Sequence, residues 1–444
     1  GMAIARQICP WGSLDAGRGV TVGIISDSFN SQGGYLTDAE RGYLPGPASP
    51  FGLFALVENI DDLPEGEGSD EGRAIAQLVH AFVPHSRLCF ATGAYSVVDF
   101  ASNIEQLASR PGPCVADIIV DDVMYAEEEY FEDGLLAQAM DRMAAKVVLY
   151  FSAAGNSHGH FVETEIKPMF RSDGRLPDAL KALDHYIWWN EFGIAGAPNP
   201  FLFPIQTSTA TDFVCIQWND DSTHVHLDLD LFILDTEFHI VDHSRSWNDA
   251  TNSPFETVFV PRPGAFYVAV GAYITSPAEL VRPYKLVLYD IHSPLPVAAT
   301  ERSIWGHPAA NGAITVAAYH YANASLEPYS SHGPVAIHFG PSGAFSLPKV
   351  RQKPDIAGVD CTDTSFFGRV DHDDSGLPIF CGTSAAAAHV AGVSAFLYQL
   401  ANREMDVFRL REVFAKTSRS SAWSHESGFG LINALQAAKH MGKC

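Results

Sequence analysis

The chain has 444 residues, 47% of them hydrophobic, enough for two or three domains around a large core and too apolar for a disordered segment. Its 28 Lys and Arg against 52 Asp and Glu give a net charge of −24, which makes nucleic acid and anionic membrane surfaces poor partners and cationic peptides or cations better ones. No apolar run approaches the roughly 18 residues of a membrane span. The opening GMAIARQICP lacks a signal-peptide core and leaves the location open, with secreted or periplasmic favoured. Seven scattered cysteines with no CxxC pair argue against structural zinc and against a disulfide scaffold, although Cys361 and Cys381 flank one loop and are candidates to pair.

Taken in chain order, GVTVGIISD (19–27) is apolar on both faces and ends in an acid, as a central parallel strand does at its carboxyl end. A helix is predicted over DEGRAIAQLVHAF, where Ile75, Leu78, Val79 and Phe82 share one face. Then follow a strand at 87–93, a helix at 97–109, a strand at 114–123, a helix at 133–145 and a strand at 146–156. This alternation predicts an α/β domain, a doubly wound parallel sheet with helices on both faces and ligands at the carboxyl ends of its strands. Asp27, Asp121, Asp122 and Asn156 fall at such ends.

The rhythm changes after residue 159. HVHLDLDLFILD (224–235) alternates apolar and polar residues and reads as a half-buried antiparallel strand. FVCIQW, EFHIVDH, FETVFV, AFYVAVGAY and YKLVLYDI repeat the theme. An antiparallel β-sandwich inserted over 160–303 is the expectation, splitting the α/β domain into 1–159 and 304–444. Tryptophans 188, 189, 218 and 247 fall in it and are expected in its core, with stacking on sugar or peptide as the alternative. The α/β pattern resumes at GAITVAAY (312–319), and a last helix is predicted near Asp406–Lys416.

CGTSAAAAHVAG (381–392) puts a hydroxyl at the mouth of a helix apolar on all sides. Ser384 is either a helix cap or a nucleophile at the positive end of a helix dipole. The order of motifs favours the second. IISDSF with Asp27, SAAGNS with Asn156 and GTSAAAAHVAG with Ser384 resemble the motifs of the subtilisin-like serine proteases, the subtilases. EPYSSHGP, KPDIAGVD and SGFGLINALQA match further stretches, so the resemblance covers roughly 1–158 and 303–440. It implies the subtilisin-like fold and a serine endopeptidase. Ser384 would be the nucleophile, Asn156 an oxyanion-hole side chain and Asp27 the orienting acid, and His389 would be structural.

One position departs from the family. Where subtilases carry His-Gly-Thr at the start of the helix after the Asp strand, this chain has Glu71-Gly72-Arg73. A lone glutamate at its usual pKa of about 4.3 is a weak base. Beside Asp27, however, two carboxyls in a buried cleft share a proton and one pKa rises. That makes Glu71 the candidate general base, acting below neutral pH; the alternative is a helix N-terminal acid stabilised by the dipole. The related sedolisins use Ser–Glu–Asp, but with their two acids four residues apart on one helix, where this chain has Ile75, and with Asp rather than Asn in the oxyanion hole.

VDDVMYAEEEY (120–130) falls where subtilases lay substrate along a strand edge. Asp121, Asp122 and Val123 are candidate substrate-binding residues, and the acids there predict a preference for basic peptides. DHDDSG (371–376) resembles the start of a calcium loop, with Asp371 and Asp373 as ligands, but lacks the glutamate at its twelfth place. No cofactor is required on this reading, and calcium is the ion to consider. Two functions remain open: a serine endopeptidase, or a pseudoenzyme of the same fold that binds peptide or carbohydrate.

Overall fold

The computed structural model describes residues 15–109, 114–209, 211–273, 280–289, 301–340, 343–369, 375–420 and 422–442. Asp371 and Asp373 lie outside the described residues. A seven-stranded sheet forms the centre, in the order Ile356–Asp360, Ala313–His320, Leu149–Ala153, Ile118–Asp121, Thr21–Ser26, Arg87–Thr92, Glu58–Asp61. Each of its pairings is parallel. Thr21–Ser26 and Leu149–Ala153 are almost wholly buried, as strands covered on both faces must be.

Helix Thr383–Leu400 packs on one face of the sheet beside helix Glu71–Phe82. Sixteen of its residues, from Thr383 to Tyr398, are buried, which explains a sequence of small apolar side chains with no polar face. On the other face, helices Val97–Ser109 and Leu135–Ala145 cover a second apolar cluster that includes Ile104, Leu107, Leu136 and Met140.

Between the two halves lie two antiparallel sheets. One runs Phe255–Phe259, Phe213–Trp218, Pro283–Tyr289, Phe161–Glu165; the other runs Ile240–Ser244, Leu229–Leu234, Gly264–Ala272, Trp188–Asn190, Pro168–Phe170, with Phe203–Thr207 also on Gly264–Ala272. Val214, Ile216, Leu229, Leu231, Ile233, Val268 and Leu286 meet in one apolar cluster, as facing sheets of a sandwich do. None of these strands pairs with the central sheet.

The strand in 224–235 is shorter than the alternation predicts and is not half-buried: it spans Leu229–Leu234, and all six residues are buried. The reason is the lead-in segment. Leu176, Leu180, Tyr186, Trp189, Phe201 and Leu202 cap the face bearing Phe232 and Leu234. Trp189 and Trp218 are core residues, whereas Trp247 is 70% exposed. Among the described residues, the disulfides Cys89–Cys114 and Cys361–Cys381 stitch the α/β part, and Cys215 is free and buried.

Candidate active site

Parallel strands bring their carboxyl ends to one edge, and the predicted motifs converge there. Asp27 follows Thr21–Ser26, and helix Glu71–Phe82 begins beside it. The Asp27 carboxylate accepts hydrogen bonds from the backbone N–H groups of Ser28, Ser69 (2.5 Å) and Glu71 (3.0 Å) and from the Ser69 hydroxyl (2.6 Å). These donors hold the first turn of the helix. Asp27 therefore places Glu71 through its backbone and adds negative charge behind its carboxyl.

The Glu71 carboxyl meets two side chains. The Asp122 carboxyl and the Ser384 hydroxyl both lie against it and favour its ionised form. Burial raises its pKa, and the Asp27 charge raises it further. Burial also holds Asp122 well above the usual carboxylate range, reinforced by the Glu71 charge. Asp122 Oδ1 is shut off from solvent and finds no partner among the described residues. A proton held between the two carboxyls would supply one, with Asp122 as the donor.

Ser384 sits in the first turn of its helix and is 8% exposed. The preceding Gly382 has φ 135° and ψ 164°, a conformation in effect reserved for glycine. No side chain caps this helix, so the capping reading of Ser384 does not hold. Thr383 is otherwise engaged: its Oγ1 donates to Asn156 Oδ1 (3.0 Å) and accepts from Gly155 N–H (3.1 Å). Its backbone N–H also donates to Asn156 Oδ1, at 3.0 Å. With its oxygen held, the Asn156 amide turns its Nδ2 towards the Gly382–Ser384 turn; a Cβ on Gly382 would lie 3.5 Å from it. The turn is anchored by Asp360, whose Oδ1 accepts from Gly382 N–H at 2.8 Å.

A cavity of about 460 Å³ opens over this group, lined by Asp122, Met124, Asn156, Thr383 and Ser384. Its far wall includes His160 and Val287–Tyr289 from the inserted sheets, together with the exposed Arg369.

Asp121 does not reach the cleft. Strand alternation turns it to the opposite face from Asp122, where it is fully buried and accepts from Ser152 Oγ (2.8 Å). His307 Nε2 lies 3.2 Å from Asp121, and His307 Nδ1 lies 2.8 Å from Glu128. Burial alone would depress His307, but the charges of Glu128 and Asp121 push its pKa up to about 10. Val123 packs towards Gly93 and does not line the cavity. The expectation of an acidic cleft selecting basic peptides therefore fails at Asp121 and Glu128, which are paired inside with a histidine. Asp70 is also buried, against Arg73 at 2.9 Å, which draws Arg73 away from Glu71. His80 and His389 are held down to about 4 by burial, and His389 Nδ1 lies 2.6 Å from Val359 O.

Sequence reasoning placed Asp122 with the substrate and missed it as the partner of Glu71. The signal available was the Asp-Asp pair at a strand end, which must send one acid to each face. Nothing in the sequence pointed to the sandwich as a wall of the cleft.

The Subtilase family profile matches residues 296–430. No curated protein matches the chain. Among solved structures, the CspB protease of Clostridium perfringens superposes with a TM-score of 0.59 at 12% identity, covering 100% of both chains. A lanthipeptide protease gives 0.45 at 11% identity, over 99% of this chain and 93% of that one. Fervidolysin from Fervidobacterium pennivorans, a keratinolytic enzyme related to subtilisin, gives 0.43 at 12% identity, over 96% of this chain and 43% of that one. The chain thus shares the subtilisin-like fold with the CspB protease over its whole length and matches the Subtilase family profile over residues 296–430.

Proposed function

We propose that the protein is a serine endopeptidase in which Ser384 attacks the scissile carbonyl, Glu71 is the general base and Asp122 holds the proton that makes the acid pair work. The observation that carries this reading is that the Ser384 hydroxyl and the buried Asp122 carboxyl both lie against the Glu71 carboxyl. As Oγ bonds to the carbonyl carbon, its proton passes to Glu71, and the carbonyl electrons move onto oxygen. Asn156 Nδ2 and the backbone N–H of Ser384 are the donors for that oxyanion. Collapse breaks the C–N bond, and Glu71 returns the proton to the leaving amine. Water then repeats the cycle on the acyl-enzyme.

Asp122 in this scheme does for Glu71 what an orienting aspartate does for a histidine. Asp27, its acceptor capacity taken by the helix start, is a positioning residue. Because the pair must carry one proton, activity is highest below neutral pH. A fluorophosphonate probe and a peptide library assayed from pH 3 to 9 test the reading. Labelling and turnover that vanish in Ser384→Ala and Glu71→Gln support it. The alternative of a peptide-binding pseudoenzyme predicts neither labelling nor turnover at any pH.

A further inference from the structure

We propose that Glu301, His332 and His425 form a binding site for a divalent transition-metal ion of the zinc class, tying the return from the sandwich to the oxyanion loop. The three residues come from three separate segments. His332 Nδ1 lies 3.0 Å from Glu301 Oε2, and His425 Nε2 lies 3.3 Å from the same oxygen. The three ligand atoms all fall within 4.8 Å of one another. Tetrahedral zinc with bonds of about 2.0–2.1 Å requires ligand atoms about 3.3 Å apart, and both histidine-to-Glu301 distances are close to that spacing. Two imidazoles and a carboxylate leave the fourth position to water.

The backbone holds the three segments in place without a metal. Arg302 N–H donates to Gly333 O (3.2 Å), Ile304 N–H to His332 O (3.1 Å) and Gly333 N–H to His425 O (2.8 Å). The Ser303 hydroxyl accepts from His332 N–H at 2.8 Å. Such preorganisation is what a metal site needs, since the ion then has no loops to order. Burial differs along the trio: His332 is buried, His425 half-buried and Glu301 exposed, so an ion can reach the site from solvent.

A fourth imidazole points to the consequence. His158 stacks on His332 with ring centroids 3.7 Å apart, and its buried Nδ1 has no partner among the described residues. His158 is two residues from Asn156. Ser331, next to His332, donates its N–H to Gly155 O (2.9 Å), and its hydroxyl accepts from Ser157 N–H (3.0 Å). A metal on His332 would therefore brace the loop that presents Asn156. The other two groupings of His, Cys and acid among the described residues both depend on Cys361, which is joined to Cys381 and offers no thiolate.

The test is zinc titration of the full chain, stripped with EDTA and dialysed, by calorimetry at pH 7.5, with Co²⁺ as a spectroscopic substitute. The expected result is one equivalent bound, a visible Co²⁺ band of four-coordinate intensity, and a higher Tm. His425→Ala and Glu301→Gln, each at a solvent-facing position, should weaken binding by about 100-fold or more, a loss of the size that metal-site mutations produce. His239→Ala, at an exposed histidine in the sandwich, should change nothing. Absence of Zn²⁺ and Co²⁺ binding overturns the proposal. So does binding that survives unchanged in the Glu301→Gln/His425→Ala double variant, because surface carboxylates would then be the ligands.

Discussion

The Asp122–Glu71 pair should make the protein less stable as it becomes chemically competent, and the double variant Glu71→Gln/Asp122→Asn should show this. Both carboxyls have pKa values raised in the folded state, by burial first and then by neighbouring negative charge. In the unfolded chain they ionise near pH 4. A carboxyl with a raised folded pKa favours the native state only while it is protonated. Its contribution is complete below about pH 4 and is lost as pH rises through the raised value. Within that window the native pair holds a proton that the unfolded chain has released, so stability falls by about 1.4 kcal/mol per pH unit per proton. For each pH unit over which it is retained, that proton costs the wild type about 1.4 kcal/mol relative to an amide pair, which does not titrate. Urea denaturation of both proteins from pH 3.5 to 7.5 measures it: the variant should gain on the wild type as pH rises. Its turnover should fall by about 10⁴-fold, about 5.5 kcal/mol of barrier, because the base is gone. A stability difference that stays flat from pH 4 to 7 refutes the shared proton, and turnover within tenfold of wild type refutes the base.

Four further outcomes follow from particular contacts. Asn156→Ala should lower kcat by about 10²- to 10³-fold, through loss of the proposed oxyanion donor Nδ2 and of the Oδ1 contacts that hold Thr383; steady-state kinetics on a peptide substrate will tell. His307→Gln should cost about 3–5 kcal/mol in chemical denaturation, because Asp121 and Glu128 lose the cation between them. The folded pKa of His307 is pushed up to about 10, so the advantage of wild type over that variant should be complete below about pH 6.5 and shrink as pH rises towards 10. Cys381→Ser should lower stability by about 3 kcal/mol, the loop entropy for a sequence separation of 20, and the same loss should follow mild reduction of the wild type.

The α/β part was legible because each of its signals is local. Strands buried on both faces read as apolar runs, the helices show their 3.6 period, and the motifs sit at the carboxyl ends of strands. The sandwich was legible as a class, but the period of two misled at 224–235, because the polar-looking face lies under a lead-in with no periodicity. At the site, Asp27, Glu71, Asn156 and Ser384 were found from motif order, and the structure brings all four to one sheet edge. The roles of the acids were not legible. They depend on which face of a strand end each aspartate takes and on how many donors Asp27 has already accepted. Asp121 and Asp122 are neighbours in sequence with opposite fates, one neutralised by His307 and the other pressed against Glu71.

On the proposed mechanism, the placement of Asp27 accounts for a glutamate standing where subtilases carry histidine. A histidine base needs an acceptor for its second N–H, and a free aspartate beside it supplies one. Here the Asp27 oxygens are occupied by Ser28, Ser69 and Glu71 N–H groups, so an imidazole at 71 would find that acceptor taken. A carboxyl needs the reverse, a donor, and a carboxyl kept protonated by burial provides it from the neighbouring strand. On the proposed mechanism, the exchange of His for Glu is coupled to Asp122, not to Asp27. Glu71→His alone should leave an imidazole facing a buried acid that has no reason to ionise until the imidazole charges. Each would then stabilise the ionised form of the other, making an ion pair whose neutral, proton-accepting state appears only at alkaline pH. Glu71→His should therefore be inactive at neutral pH and gain activity as pH rises, the opposite trend to wild type. Activity at pH 5 equal to wild type would show that the two positions are independent.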